Sequence, residues 1–324
     1  MSDPGIALVM TLLNEEKDLP SLIESIDRQT RAPDEIVVCE TGSGDGTLRI
    51  LREWRQARPE LVKIIERRGL NIAEGRNQAV IASVSPIICV TDGGCVLEND
   101  WLEQIVRPLL SDSRAGIVYG NTVAVGLTRV GRQFARLYGM KAGDGDSNVS
   151  AHSSRSVAFR RQVWEAAGGY PEWMTLAGED TEFFRQVECF AAPLDAPGAR
   201  VYWHHGEETL PAVFKRHRRN SEGDCEANLL PGRYLSLIGA YAATAAAIVV
   251  AFFRLSMLPP ALLLAAVLCF RHTPQALKAG AGSIDALVVL PAITLSRDLG
   301  MIAGYLTGLR KKRAKGPWKT TVKT

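Results

Sequence analysis

The sequence lacks the cysteine spacing of a zinc-binding or disulfide-bonded protein. Its six cysteines form no CxxC pair, and several of them lie inside apolar runs. Structural metal sites and disulfide frameworks depend on closely spaced cysteines, so we expect neither and favour a reducing compartment. The chain also lacks a strong charge excess, since its formal net charge is +3 over 324 residues. That balance gives no reason to expect nucleic acid as a partner.

Two further absences narrow the possibilities. The opening residues, MSDPGIALVM, do not join a basic segment to an apolar one. We therefore expect no cleaved signal peptide, and we expect the N-terminal part in the cytosol. The glycine-rich turn TGSGDGT, at residues 41–47, does not follow the pattern GxxxxGK[ST]. A nucleotide-binding loop of the Walker type is thereby excluded.

Short apolar runs alternate with amphipathic segments in the first part of the chain. Strands are predicted at 6–10, 35–39, 62–65, 87–91, 116–120, 157–159 and 200–203. Apolar residues recur at helical spacing between several of these runs. Helices are predicted at 15–29, after 41–47, and at 71–82. This order predicts an α/β fold with a mostly parallel sheet and helices on both faces.

One predicted strand runs directly into an acidic residue. Asp92 follows the apolar residues 87–91 and precedes Gly93 and Gly94. Open α/β sheets bind ligands at the carboxyl ends of their strands, and glycine lets a bulky anion come close. Asp92 is therefore a candidate ligand-binding carboxylate. The alternative is an aspartate that caps the turn before the next helix.

The composition changes after about residue 233. Residues 234–253 carry no charge, and such a run is long enough to cross a hydrocarbon core of about 30 Å as a helix. Residues 255–270 form a shorter apolar run. This part of the chain therefore predicts attachment to a membrane.

The last apolar segment, 284–309, contains Asp285 and the adjacent pair Arg297 and Asp298. A charge pair is costly in lipid, so we predict an interfacial or re-entrant helix for part of this segment. The membrane region 231–309 is then predicted to hold two transmembrane helices plus that surface helix. The basic tail, 310–324, is predicted to be cytoplasmic.

Seven motifs occur in an order that resembles the family 2 glycosyltransferases of the GT-A fold. In chain order they are TLLNEEKDLPSLIESI, PDEIVVCETGSGDGT, NIAEGRNQAV, CVTDGGCVLENDWL, VAFRRQVWEAAGGYPEW, GEDTEFFRQV and RNSEGDCEANL. Together they cover roughly residues 5–230. The resemblance implies a Rossmann-like GT-A domain at 1–230. Within that family, the chain is similar to membrane-anchored members that build bacterial polysaccharides or act on polyprenols.

The resemblance implies that a nucleotide-sugar donor lies at the ends of the first strands. The residues implied in donor binding are Thr11, Asn14, Glu15, Glu40, Arg76, Asp92, Gly94, Arg216 and Arg219. Glu40 stands where the family usually has an aspartate that contacts the base. The basic run 215–219 is interpreted as binding a diphosphate or an acceptor phosphate, with lipid headgroups as the alternative.

The resemblance also implies a divalent cation, Mg²⁺ or Mn²⁺, bound partly by donor phosphates. Asp92 matches the first acid of the family's DxD motif, whereas Gly94 replaces the second acid. A second protein ligand is therefore predicted, and His204 and His205 are the candidates. The alternative for each is an ordinary histidine of the core or surface.

The motif GEDTEFFRQV is similar to the segment that carries the family's catalytic base. By that similarity Asp180, with Glu179 beside it, is assigned to catalysis: Asp180 takes the proton from an acceptor hydroxyl that attacks the anomeric carbon, with inversion. A helix-capping acid is the alternative. Ser154, Arg155 and Trp173 match segments that border the sugar and acceptor pocket, with a place in the core as the alternative for Trp173.

These expectations combine into one function. The sequence predicts an inverting glycosyltransferase that moves one sugar from a nucleotide-diphosphate sugar to polyprenyl phosphate or a lipid-linked glycan. It is predicted at the cytoplasmic face of the inner membrane, in contact with membrane lipids. The chain lacks the QxxRW pattern of processive synthases. A sugar-phosphate nucleotidyltransferase and a catalytically weak membrane scaffold stay open as alternatives, as does a homo-oligomeric state.

Overall fold

The computed structural model describes residues 4–143, 152–174, 176–278 and 281–315. They fall into two compact units. The N-terminal unit comprises Met1–Val125, Lys141–Thr175 and Glu179–His205, and the C-terminal unit comprises Gly126–Met140, Leu176–Gly178 and Gly206–Thr324. Each unit is described by itself below.

The N-terminal unit is built on an eight-stranded sheet. Its strands are β1 (Ile6–Leu12), β2 (Glu35–Glu40), β3 (Val62–Glu66), β4 (Ile87–Val90), β5 (Cys95–Leu97), β6 (Ile117–Val125), β7 (Val157–Arg160) and β8 (Pro193–His204). Their spatial order is β3-β2-β1-β4-β7-β6-β8-β5. The four strands β3, β2, β1 and β4 pair in parallel. Beyond them, β7 is antiparallel to β4 and β6, β6 is parallel to β8, and β5 is antiparallel to β8.

The predicted α/β fold is therefore present, with the parallel pairing concentrated in the first half of the sheet. Its helices are α1 (Leu19–Asp27), α2 (Thr47–Ala57), α3 (Ile72–Ala82), α4 (Trp101–Ser111), α5 (Arg129–Gly143), α6 (Arg161–Ala167) and α7 (Glu179–Val187). Helix α5 begins in the C-terminal unit. The main core joins β-strand residues to side chains of α3 and α7, among them Phe159, Phe183 and Tyr170. The sheet and α7 are thus fixed to each other by burial of aromatic surface.

The helix predicted from residue 15 begins later, at Leu19. Asn14 has a left-handed backbone, with φ of 58°, and the amide of Glu15 donates to Oγ1 of Thr47 at 2.8 Å. These contacts draw residues 14–18 toward the turn after β2. The helical spacing of the apolar residues is correct, but the polar residues before them belong to a loop.

The C-terminal unit is helical. After the first part of α5 it contains α8 (Leu210–Glu226), α9 (Pro231–Phe253), α10 (Leu258–Phe270), α11 (Thr273–Lys278) and α12 (Leu290–Lys315). A 3₁₀ turn, Leu255–Met257, precedes α10, and a π-helical turn, Asp285–Val289, precedes α12. Helix α12 packs along α8 through Gly300, Gly304 and Gly308, which lie against residues 214–225.

Among the described residues of this unit, two helices are long and apolar enough to cross a membrane. They are Pro231–Phe253 and Asp285–Lys312, with a shorter apolar segment, Leu255–Phe270, between them. These segments coincide with the apolar runs in the sequence. The first is mostly exposed, whereas nearly half of the second is buried inside the structure. Of the predicted basic tail, residues 316–324 lie outside the described residues.

Candidate active site

The ends of β1 and β2 meet in one place. The amide of Asn14 donates to Oγ of Ser43 at 2.9 Å, and the amide of Gly44 donates to Oδ1 of Asn14 at 2.8 Å. Thr11 lies under α3, where a β-carbon on Gly75 would come within 2.5 Å of its methyl group. The residues that the resemblance assigns to nucleotide binding are therefore neighbours in space, although about 30 positions separate them in the chain.

Glu40 is buried, with 2 % of its surface exposed. Its Oε1 atom accepts hydrogen bonds from the backbone amides of Gly42 and Ser43. Among the described residues, none donates a hydrogen bond to its Oε2 atom. The turn therefore orients the carboxylate and leaves one oxygen for a donor group of a ligand.

Glu15 lies directly against the glycines that follow Asp92. A β-carbon on Gly93 would come 2.5 Å from Cδ of Glu15, so this position accepts glycine only while Glu15 stays where it is. Burial raises the pKa of Glu15 to about 7, with Asp18, Asp92 and Asp45 adding to the shift. A second carboxyl group therefore stands beside Asp92, a proximity that no local sequence pattern indicated.

Arg76 links two acids that are far apart in the sequence. Helix α3 is held at its start by Asn71, whose Oδ1 accepts from the amide of Glu74 at 3.0 Å. One turn later Arg76 points into the unit, with 1 % of its surface exposed. Its Nη2 atom donates to Oδ1 of Asp92 at 2.8 Å and its Nη1 atom to Oε1 of Glu179 at 2.5 Å.

The sequence assigned Arg76 to the donor, whereas its guanidinium lies between Asp92 and Glu179 in the structure. Burial alone would lower the pKa of Arg76, but Asp92, Glu179, Tyr170 and Asp180 outweigh it and keep the pKa well above the ordinary value. Asp92, predicted beside the leaving diphosphate, and Glu179, predicted beside the catalytic base, thus both contact the guanidinium of Arg76. They belong to one site.

Arg155 provides a second cation near Asp92. Its guanidinium lies over the Trp203 ring, 3.9 Å from the centroid. Burial would raise the pKa of Asp92, but Arg76 and Arg155 outweigh burial and hold that pKa below its usual range. Asp92 is consequently ionised near neutral pH. The sequence assigned Arg155 to the sugar pocket, and its effect on the pKa of Asp92 shows that it lies near that carboxylate as well.

Asp180 is the second residue of α7, directly after Glu179. Its Oδ1 atom accepts from the amide of Thr181 at 2.8 Å, and its Oδ2 atom accepts a long hydrogen bond of 3.4 Å from the amide of Ser154. Burial raises the pKa of Glu179, and Asp180 adds to the rise against the opposing effect of Arg76. The two neighbouring acids therefore differ: one is buried against arginine, and the other is partly exposed with a loosely held oxygen.

Among the residues that the resemblance assigns to the sugar and acceptor pocket, Ser154 is buried and Trp173 is exposed. The hydroxyl of Ser154 is fully buried and lies 3.0 Å from the hydroxyl of Tyr170. Tyr170 was not singled out from the sequence, although it lies in the motif VAFRRQVWEAAGGYPEW. Trp173 is 41 % exposed. It therefore lies at the surface of the unit, and the core alternative does not apply.

Strands β5 and β8 bring the two histidines beside the Asp92 loop. The amide of His204 donates to the carbonyl of Gly94 at 2.9 Å. The side chain of His204 is exposed, whereas His205 is 4 % exposed with its ring 5.6 Å from that of Trp203. Within the part of the chain that the structure describes, no group of three or more His, Cys, Asp and Glu side chains is arranged to hold a metal ion.

The donor set at this place fits a cation that takes further ligands from a substrate. One ionised carboxylate and one or two imidazoles are suitable ligands for a divalent cation, and they are too few to enclose it. A β-carbon on Gly94 would lie 3.4 Å from the carbonyl oxygen of His204, so Gly94 lies directly beside the strand that carries the histidines. The residues therefore fit a cation held jointly with phosphate oxygens.

The two arginines of the basic run belong to the C-terminal unit. Nη1 of Arg216 lies 3.2 Å from Oε1 of Glu207, and Nε of Arg219 donates to the carbonyl of Leu176 at 3.2 Å. Both contacts lie within that unit. A role of these arginines in donor binding is unaffected by them and stays a prediction.

Comparison with known proteins identifies the family. The profile described as glycosyl transferase family 2 matches residues 7–169, about half of the chain. The chain belongs to glycosyl transferase family 2. The matched region includes the loop of Asn14, the Arg76 helix and Asp92, and it ends before Asp180. The recognition based on ordered motifs is thereby confirmed.

Two named relatives are similar over about half of the chain. The glycosyltransferase AglE of Haloferax volcanii is 25 % identical over 181 residues, which are 54 % of this chain and 59 % of the relative. The O-antigen chain rhamnosyltransferase RfbN of Salmonella typhimurium is 24 % identical over 184 residues, 53 % of this chain and 57 % of the relative. The match thus spans less than two thirds of either relative.

A solved structure supports the fold. The mannosyltransferase PcManGT from Pyrobaculum calidifontis, determined in complex with GDP-Man and Mn²⁺, has a TM-score of 0.61 at 19 % identity. The likeness covers 96 % of this chain and 89 % of that chain. It confirms the predicted GT-A fold class.

Proposed function

We propose that the protein is an inverting glycosyltransferase that moves a single sugar from a nucleotide-diphosphate sugar to a lipid-linked acceptor at the cytoplasmic face of the inner membrane. The observation that carries the proposal is the contact of Arg76 with both Asp92 and Glu179, next to Asp180. It brings the acid of the donor motif and the acids of the catalytic motif into one site. Family membership supports the reaction class.

Asp180 is the general base. Ser154 and Thr181 orient its carboxylate through their backbone amides. The loosely held Oδ2 atom takes the proton of the acceptor hydroxyl as that oxygen attacks the anomeric carbon. The bond from carbon to the diphosphate oxygen breaks on the opposite side, so the configuration inverts. Glu179 supports this arrangement by its contact with Arg76.

Donor binding uses both strand ends. The Oε2 atom of Glu40 accepts a hydrogen bond from the base, and Thr11, Asn14 and Glu15 line the same place. Arg155, which lowers the pKa of Asp92, supplies positive charge toward the diphosphate. This guanidinium partly compensates for the weaker cation site that Gly94 leaves.

A divalent cation would be held by Asp92 with His204 or His205 and by phosphate oxygens of the donor. The complex of PcManGT with Mn²⁺ supports a cation of this kind. Imidazole is a softer ligand than carboxylate, so the set favours Mn²⁺ over Mg²⁺. When bound, such a cation stabilises negative charge on the departing diphosphate.

The acceptor is proposed to be polyprenyl phosphate or a lipid-linked glycan. Two helices with the length and composition of membrane spans support a membrane location, and the name of RfbN supports a role in building a surface glycan. Membrane attachment concentrates a lipid substrate near the site. Arg216 and Arg219 are proposed to bind phosphate of the donor or acceptor.

The test is sugar transfer by the purified full chain from labelled nucleotide sugars to extracted membrane lipids, with Mn²⁺. Asp180→Asn is expected to lower the turnover number by about 10²–10⁴-fold with donor affinity unchanged, because only the proton acceptor is lost. Glu60→Gln, at an exposed carboxylate between α2 and β3, is the control and is expected to behave as wild type. Equal turnover of Asp180→Asn and wild type would remove the base role.

A further inference from the structure

A second cluster of charged side chains lies inside the C-terminal unit. Asp298 of α12 is fully buried. Nη2 of Arg271 donates to its two oxygens at 2.7 and 2.6 Å, and the hydroxyl of Tyr241 donates to Oδ2 at 2.9 Å. Nη2 of Arg297 donates to Oδ1 at 3.2 Å. Side chains from α9, α12 and the end of α10 thus converge on a single carboxylate.

The cluster carries more positive than negative charge. Arg271 and Arg297 are both cations, and Asp298 is their shared acid. Nη2 of Arg297 lies 3.0 Å from Nε2 of His272. A guanidinium nitrogen is a donor only, so this ring nitrogen accepts the hydrogen bond and contributes no negative charge. One positive charge is left over.

Arg297 is the more buried of the two arginines. Only 7 % of its surface is exposed. Its Nε and Nη2 atoms are engaged by Asp298 and His272, whereas Nη1 has no acceptor among the described residues. A buried cation without a balancing anion is costly. The arrangement therefore fits an anion that completes the cluster.

The cluster lies inside segments that are otherwise apolar. Tyr241 lies within Pro231–Phe253, and Arg297 and Asp298 lie within Asp285–Lys312, the segments that are long and apolar enough to cross a membrane. The last part of α9 and most of α10 expose large apolar side chains, including Phe252 at 86 % and Leu263 at 65 %. A charged cluster is costly in the hydrocarbon core, so we expect these residues at the level of the lipid phosphates, with the apolar side chains reaching into the core.

We infer that Arg271 and Arg297, oriented by Asp298 and Tyr241, bind the phosphate group of a membrane lipid. Guanidinium groups bind phosphate through paired N–H donors, and Nη1 of Arg297 provides one that is not used by the protein. The phosphate belongs either to a polyprenyl phosphate or to an anionic phospholipid. If it is a polyprenyl phosphate, the site serves the proposed transfer and rests on that function; binding itself does not.

The experiment measures lipid binding by the full chain in an uncharged detergent, without nucleotide sugar. The probes are a polyprenyl phosphate, phosphatidylglycerol, diacylglycerol and inorganic phosphate, each titrated with dissociation constants from native mass spectrometry or thermal shift. Since no sugar donor is present, failure of the proposed transfer does not affect the result. Tight binding of polyprenyl phosphate alone indicates the acceptor, and equal binding of phosphatidylglycerol indicates a general headgroup site.

Arg297→Gln is the informative variant, because it leaves Asp298 paired with Arg271 and removes only the surplus charge. We expect about tenfold or weaker binding of the phosphate lipids, unchanged binding of diacylglycerol, and an unfolding temperature without lipid no lower than that of wild type. Arg297→Lys, which keeps the charge, is expected to restore part of the affinity. Arg254→Gln, an exposed arginine in the turn after α9, is the matched control.

Three results would overturn the inference. The first is that Arg297→Gln binds the phosphate lipids as tightly as wild type does. Arg297 would then have a purely structural role. The second is that Arg254→Gln loses as much lipid affinity as Arg297→Gln. The loss would then follow from the lower net charge of the protein and not from this site. The third is binding of diacylglycerol or inorganic phosphate as tight as that of the phosphate lipids.

Discussion

Each unit contains an arginine–aspartate cluster, and the two clusters are built in opposite ways. In the N-terminal unit one arginine, Arg76, lies between Asp92 and Glu179. In the C-terminal unit one aspartate, Asp298, lies between Arg271 and Arg297. Two acids thus share one arginine in the first cluster, and two arginines share one aspartate in the second.

The difference shows how a buried charge cluster indicates a ligand. A matched pair is complete by itself and gives little net stabilisation, because desolvation offsets the attraction. Where two acids share one arginine we expect a cation to bind, as proposed for Asp92, and where two arginines share one aspartate we expect an anion. The sign of the excess therefore predicts the kind of ligand, and it can be tested by removing one member at a time.

The largest effect is expected for Arg76. Arg76→Gln leaves the buried Glu179 and the partly exposed Asp92 without their shared cation, so we expect a loss of about 3–5 kcal/mol in the free energy of unfolding. Urea denaturation of the full chain at neutral pH measures it. The matched variant Glu179→Gln keeps the Arg76–Asp92 pair and is expected to stay within about 1 kcal/mol of wild type. Similar losses in both variants would contradict the surplus-charge explanation.

A smaller effect is expected when the cation ligand is removed. Wild-type protein with a nucleoside diphosphate is expected to gain about 2–3 kcal/mol in stability at Mn²⁺ concentrations near 100 times the dissociation constant. Asp92→Asn is expected to lose most of that gain while Arg76 stays paired with Glu179. Thermal unfolding with Mn²⁺ and after chelation gives both values. A full Mn²⁺ response in Asp92→Asn would move the cation site elsewhere.

The smallest effect concerns Glu15, whose pKa is raised from 4.5 to about 7, mainly by burial. Because the folded protein holds this proton more tightly than the unfolded chain, its stabilising contribution is complete below the unfolded pKa and is lost as the pH rises through about 7. The carboxyl is partly exposed, so we expect a loss of about 1–2 kcal/mol.

The measurement is the free energy of unfolding of wild type and Glu15→Gln from pH 4 to 8 with a chelator present. The difference between the two proteins is expected to change across that interval, with wild type falling relative to the variant. Parallel curves would mean that Glu15 titrates as an ordinary surface acid.

Much of the N-terminal fold follows from local sequence. The apolar runs before Asp92 and around Val157 are strands at the predicted places, and α3 begins at the predicted residue because Asn71 and Glu74 cap it. Helical spacing and capping are short-range properties, which a sequence displays directly. Strand β8 was foreseen only in its last part, because Pro193 and the exposed residues after it lack an apolar strand pattern.

The contacts that make the site are long-range, and the sequence did not indicate them. Arg76 meets Glu179 across 103 positions, and Glu15 meets Gly93 only because β1 and β4 are neighbours in the sheet. The cluster around Asp298 was read as a charge pair that disfavours lipid, since Arg271 and Tyr241 reach it from other helices. The packing of the helices and strands determines which side chains contact the same carboxylate. The periodicity of apolar residues in the sequence does not reveal these contacts.

Three glycines of α12 limit how this chain can vary in length. At Gly300, Gly304 and Gly308 a β-carbon would come within 2.0–2.7 Å of α8, so the backbones touch along about two turns of helix. One residue inserted or deleted within this stretch would rotate the glycines by about 100° and set side chains against α8. Insertions should accordingly be tolerated in the turn at 254–257 and excluded between residues 300 and 308.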